Sequence, residues 1–77
     1  MWYNNLMKTE WTQATYIAEQ TIAARKALGL TQAELAALMG TRQSSIARFE
    51  GGTYNPTVAF LERLAAGLGK KLRVTLE

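Results

Sequence analysis

The 77-residue chain has no cysteine and no histidine, and its only proline is Pro56. Without a thiol or an imidazole there is no Cys or His nucleophile, no His base, no structural zinc of the usual Cys/His kind and no disulfide framework. Acids are scarce too, six Asp plus Glu in all. They are scattered, so no all-carboxylate metal site is indicated. Glu10, Glu19, Glu34, Glu50 and Glu62 form no evident pair for acid–base work, which argues against an enzyme, and no cofactor is called for. No apolar run approaches the roughly 18–20 residues of a membrane span. The opening Met1-Trp2-Tyr3-Asn4-Asn5 lacks the basic flank and small-residue cleavage site of a signal peptide, so a cytoplasmic location with no membrane partner is expected.

What the chain does have is 48% apolar residues, too rich for a disordered segment, and nine Lys plus Arg for a net charge of +3. That excess is compatible with an anionic partner and common in proteins without one. At this length a single domain spanning 1–77 is expected, and one core rarely supplies more than about 3–5 kcal/mol unless oligomerisation adds to it. A homodimer is therefore expected before any motif is considered, with pairing expected from the terminal strand, Phe60 or the aromatic N-terminus rather than from a separate dimerisation domain.

Glycine punctuates the chain at Gly29, Gly40, Gly51-Gly52, Gly67 and Gly69. Helices stop before Gly and start after Ser or Thr, which divides the chain into short helices. A first helix is predicted from about Thr12 to Leu28, with Ile17, Ala18, Ile22 and Leu28 at roughly helical spacing. A second opens on Thr31-Gln32-Ala33-Glu34, a capping box, and carries Leu35, Leu38 and Met39 on one face. A third, about Gln43 to Glu50, buries Ile46 and Phe49. After Gly51-Gly52-Thr53-Tyr54-Asn55-Pro56, a fourth begins near Thr57 with Val58, Leu61, Leu64, Ala65 and Leu68 as its stripe, leaving Phe60 off it. Lys70 to Leu76 alternates with period two, Leu72, Val74 and Leu76 on one side, and reads as a short strand over 70–76.

Two helices of about eight residues joined by Gly40-Thr41-Arg42 match a helix-turn-helix unit, here residues 31–50. The second helix leaves Gln43, Ser44 and Arg48 on its outer face. Those are the types that read base edges: Arg donates two bonds to guanine, Gln pairs with adenine, and Ser serves in either setting.

The run Arg25-Lys26-Ala27-Leu28-Gly29-Leu30-Thr31-Gln32-Ala33-Glu34-Leu35-Ala36, then Met39 through Gly52, then Asn55-Pro56-Thr57 and Leu61 to Gly69, resembles the Cro/cI-type (XRE) helix-turn-helix domain. The resemblance implies an all-α fold of four to five helices, here with a short C-terminal strand. It implies base contacts from Gln43, Ser44 and Arg48 on the recognition helix, and phosphate contacts from Gln32, Thr41, Arg42, Thr53 and Asn55. Gln32 also resembles residues that buttress the first recognition residue, and Arg25 and Glu50 resemble the ion pair joining the first helix to the end of the recognition helix. Arg42 stands where the family often has a capping Ser or Thr, so the helix is either weakly capped or Arg42 is turned towards phosphate.

No fifth, pairing helix is expected after Gly69, and the strand-like end is similar to antitoxins of the HigA and HipB kinds. By that resemblance the protein is a homodimeric repressor reading a palindromic double-stranded DNA operator, with a cognate toxin as a possible partner. A phage-type or Cro-like regulator without a toxin, and an interaction protein that mainly neutralises a toxin, are the alternatives. The dimer or partner surface is expected among Trp11, Phe60, Leu72, Val74 and Leu76. The aromatic N-terminal segment 1–13 either packs on its own dimer or grips a partner. Lys70, Lys71 and Arg73 serve either as a DNA-backbone patch or as charges that keep an edge strand from aggregating.

Overall fold

The computed structural model describes residues 13–77, which form α1 (Gln13–Ala27), α2 (Gln32–Met39), α3 (Gln43–Glu50) and α4 (Val58–Gly67). Local chemistry sets most of the boundaries. Thr31 Oγ1 accepts the Glu34 N–H at 3.0 Å while Glu34 Oε1 accepts the Thr31 N–H at 2.8 Å, closing the capping box at the start of α2. Thr57 caps α4 with its side chain alone, accepting the Phe60 N–H at 3.0 Å. The α2–α3 turn needs Gly40, which sits at φ +68° in the left-handed region and lets Thr41 N–H reach back to the Ala36 carbonyl at 2.9 Å. Arg42 caps α3 with its backbone alone; its side chain makes no capping hydrogen bond.

The core is the space where α2, α3 and α4 converge. Leu35, Ile46 and Phe49 are its most deeply buried large side chains, joined by Ala18, Ala36, Met39, Phe60, Leu64 and Leu68. Burying a side chain of the Leu, Ile or Phe size stabilises by about 1.5–3 kcal/mol, so these three anchor the angle between α2 and α3. Helix α4 approaches α2 closely at Gly67, where an added Cβ would lie 3.2 Å from Met39 Cγ and 3.3 Å from Leu35 Cδ1.

Several inward faces differ from those predicted. Phe60 is buried within the single chain, edge-on to Phe49 with ring centroids 5.5 Å apart, and is not a surface awaiting a second subunit. The buried stripe of α4 is Phe60 and Leu64, continued at the same spacing by the C-cap residue Leu68, while Val58 is exposed. Leu28 and Leu38 are likewise exposed, and α1 turns Ala18, Thr21 and Arg25 inward. Thr21 meets its burial by donating its hydroxyl to the Ile17 carbonyl at 2.8 Å.

No strand occurs among the described residues, and 70–77 carries no regular structure. A strand exists by virtue of a ladder partner, and a lone period-two segment in one chain has none. Leu72 is half-buried, whereas Val74 and Leu76 are exposed. Trp11 and almost all of the N-terminal segment 1–13 lie outside the described residues.

Because nothing lies within 4 Å of a Cβ built at Gly40, the price of a side chain there is backbone strain alone. Gly40→Ala is expected to cost about 1–2 kcal/mol in urea denaturation, and Gly40→Asn less, since Asn tolerates the left-handed region. Equal losses for the two would argue against backbone strain as the cause.

Candidate nucleic-acid interface

Helix α3 lies between α1 and α2 with Ile46 and Phe49 inward, and the 3.6-residue period then turns Gln43, Ser44 and Arg48 to solvent. Around this exposed face stand the residues flanking it in sequence. Thr41 and the exposed Arg42 precede α3 in the turn, and the exposed Thr53 and Asn55 follow it in the loop. Thr53 is tied to the end of the helix, its N–H and its hydroxyl both donating to the Arg48 carbonyl at 3.1 and 3.3 Å.

A hydrogen-bonded chain runs from α1 to the first residue of α3. Arg25 Nε donates to Glu50 Oε2 at 2.8 Å and Arg25 Nη2 to Glu50 Oε1 at 2.9 Å, a two-pronged ion pair. Arg25 Nη1 also donates to the Leu30 carbonyl at 2.8 Å, tying in the α1–α2 turn. The two side chains are 11% and 4% exposed, so the pair is close to dry. Gln32 Nε2 donates to Glu50 Oε1 at 3.0 Å, and Gln43 Nε2 donates to Gln32 Oε1 at 2.8 Å.

The order of donors along this chain has a physical cause. An ionised carboxylate only accepts, so Gln32 must turn its NH2 to Glu50 and its carbonyl towards Gln43. Gln43 therefore spends one N–H on Gln32 and keeps one N–H and its own carbonyl free, the donor–acceptor pair that an adenine edge takes.

Sequence reasoning placed Gln32 beside Gln43 and paired Arg25 with Glu50, but did not link the two pairs through Glu50. It also passed over Tyr54, whose ring carries the Arg48 guanidinium 5.5 Å from its centroid and packs edge-on against Phe60 at 5.2 Å. The only available signal was an aromatic residue inside a polar, glycine-rich loop. No group of acidic residues placed to hold a metal ion occurs among the described residues.

Burial pushes the Glu50 carboxyl up, but the hydrogen bonds from Arg25 and Gln32 and the charges of Arg25 and Lys26 outweigh it and hold the group below its ordinary value. Arg25 is raised, chiefly by its hydrogen bond to Glu50.

A short turn between two eight-residue helices, a polar outward face on the second and flanking polar loops define a helix-turn-helix unit. The chain belongs to the helix-turn-helix family HTH_3, which matches residues 22–74. It is 40% identical over 58 residues to an uncharacterized HTH-type transcriptional regulator of Haemophilus influenzae, covering 75% of this chain and 59% of that one. It is 37% identical over 65 residues to antitoxin HigA1 of Mycobacterium tuberculosis, covering 84% and 44%. The chain thus spans about half the length of these curated relatives. Among solved structures it is similar to a chain of the HipA–HipB–O2–O3 complex, with a TM-score of 0.73 and 26% identity over 86% of this chain and 93% of that one.

Removing one partner of a nearly dry ion pair leaves a buried charge uncompensated. Glu50→Met or Arg25→Met alone should cost about 3–5 kcal/mol, and the double variant should recover most of that loss. Since folding lowers the Glu50 value, its contribution is complete above the ordinary Glu value of about 4.3 and is lost as pH falls through the lower folded value. Urea midpoints against pH should therefore fall more steeply in acid for the native protein than for Glu50→Gln; parallel curves would refute the assignment.

Proposed function

We propose that the protein is a homodimeric repressor that reads a palindromic operator, and that it is the antitoxin of a toxin–antitoxin pair that autoregulates its own operon. The observation that carries the DNA reading is the outward face of α3, where Gln43, already oriented by Gln32, stands beside exposed Ser44 and Arg48. In this reading Gln43 takes an adenine, Arg48 a guanine, and Ser44 a neighbouring base edge. Gln32, Thr41, Arg42, Thr53 and Asn55 meet phosphates on either side and set register without choosing sequence.

Two copies related by a twofold axis would place their recognition helices in successive major grooves, about 34–36 Å apart, so the operator has half-sites one helical turn or a multiple apart. The exposed Val74 and Leu76, alternating with charged Arg73 and polar Thr75, suit a segment that becomes a strand only when the same segment of the partner lies beside it. A dimer of two chains at +3 binds DNA with a marked salt dependence.

The antitoxin reading rests on the similarity to HigA1 and to the HipA–HipB–O2–O3 complex. A fold alone hosts many functions, so the toxin partner is tested separately, by co-purification with the product of the adjacent reading frame. Capture of that protein supports the antitoxin role; a neighbour that does not bind leaves a repressor without a toxin.

Gln43→Ala or Arg48→Ala should cost about 1–3 kcal/mol on the operator and relax preference at one base position each, while Arg42→Ala should weaken all sequences alike. Competition binding with single-base operator variants measures this. Equal losses on operator and random DNA for all three substitutions would overturn the assignment of base-reading residues.

A further inference from the structure

Arg48 projects from the last turn of α3 on a long, flexible side chain, and such a side chain reads a base well only if its freedom is already curtailed. Gln43 has Gln32 for this purpose. Arg48 has no side-chain hydrogen-bond partner for its guanidinium in the described contacts; what it has is the Tyr54 ring, 5.5 Å from guanidinium carbon to centroid.

We propose that Tyr54 is the positioning residue for Arg48, holding its guanidinium over the aromatic face at the height from which it meets a guanine, and so sharing in operator specificity without touching a base. The inference rests on the reading of Arg48 as a base contact.

Three features support it. The ring is itself held in place: Tyr54 lies edge-on to Phe60 at 5.2 Å, and Phe60 edge-on to Phe49 at 5.5 Å. Phe49 is the residue after Arg48 in α3, so the contacts close a loop from the recognition helix through the core and back to the same turn of helix. The backbone closes it a second time, because Thr53 donates twice to the Arg48 carbonyl and thereby fixes where Tyr54 leaves the loop. Finally, a cation over an aromatic face is attracted by the ring quadrupole without using up a particular N–H. The guanidinium donors that a guanine requires stay available.

The ring face, not the hydroxyl, does the positioning, which separates this role from a phosphate contact. The test compares Tyr54→Phe, Tyr54→Leu, Arg48→Ala and the Tyr54→Leu/Arg48→Ala double variant, all full-chain. Binding is measured to an operator selected from random DNA by the native protein and to duplexes carrying each base at the position that Arg48→Ala ceases to read. Tyr54→Phe should keep the guanine preference there. Tyr54→Leu should lower it about threefold, the scale of an exposed cation–π contact, while preferences at the Gln43 position hold. The double variant should match Arg48→Ala.

Because each value is a ratio between duplexes for one variant, lost packing against Phe60 does not imitate the effect. The Arg48 side-chain proton resonances, shifted by the ring current in the native and Tyr54→Phe proteins, should lose that shift in Tyr54→Leu. If Arg48→Ala changes no base preference, the reading of Arg48 itself falls. If Arg48→Ala removes the preference and Tyr54→Leu leaves it whole, the positioning role is overturned. Uniform weakening on every duplex by both Tyr54 variants would also overturn it, making Tyr54 a phosphate contact.

Discussion

A guanidinium and a carboxylate 2.8 Å apart, both nearly out of water, tie the end of α3 to α1, the first helix described. Buried pairs of this kind add little net stability, since desolvation offsets the attraction, but they tolerate few geometries. Glu50 is the last residue of α3 and Arg25 lies in the last turn of α1, so the pair fixes the pitch of the helix whose outer face carries Gln43, Ser44 and Arg48. Through its second oxygen, Glu50 also orients Gln32, and Gln32 orients Gln43. A single charged group thereby governs both ends of α3.

Around that constraint the molecule divides its work between dry and wet surfaces. Leu35, Ile46 and Phe49 hold the angle of the helix-turn-helix unit from inside, and the same helix shows Gln43, Ser44 and Arg48 outside. The loop after α3 belongs to both: Tyr54 meets Phe60 of the core on one side and Arg48 of the exposed face of α3 on the other. The aromatic series Phe49, Phe60 and Tyr54 is thus a packed route from the core to the exposed face.

Helix boundaries were legible because their causes are local. Thr31 and Glu34 satisfy each other's free N–H groups within three residues, and Gly40 takes up a conformation that other residues resist. The helix-turn-helix unit followed from spacing, and the Arg25–Glu50 pair from resemblance alone. The inward faces were harder. Both Val58 and Phe60 could have begun the apolar stripe of α4, and only the position of Phe49 beneath it selects Phe60. Arg25 points inward on α1 because Glu50, 25 residues away, is there to receive it. The period-two end reads as a strand from its pattern, yet pattern alone provides no ladder, and one chain offers it no partner.

By itself, then, the sequence determined which residue types are missing, where each helix starts and stops, and which side chains α3 has available for its outer face. Those properties depend on residue type and on neighbours within a turn. The tertiary structure decided which stripe of each helix is buried, which amide atom of Gln32 faces Gln43, and which ring lies under Arg48. Each of these is a choice between near-equal local options, and it is resolved only by a group brought in from a distant part of the chain.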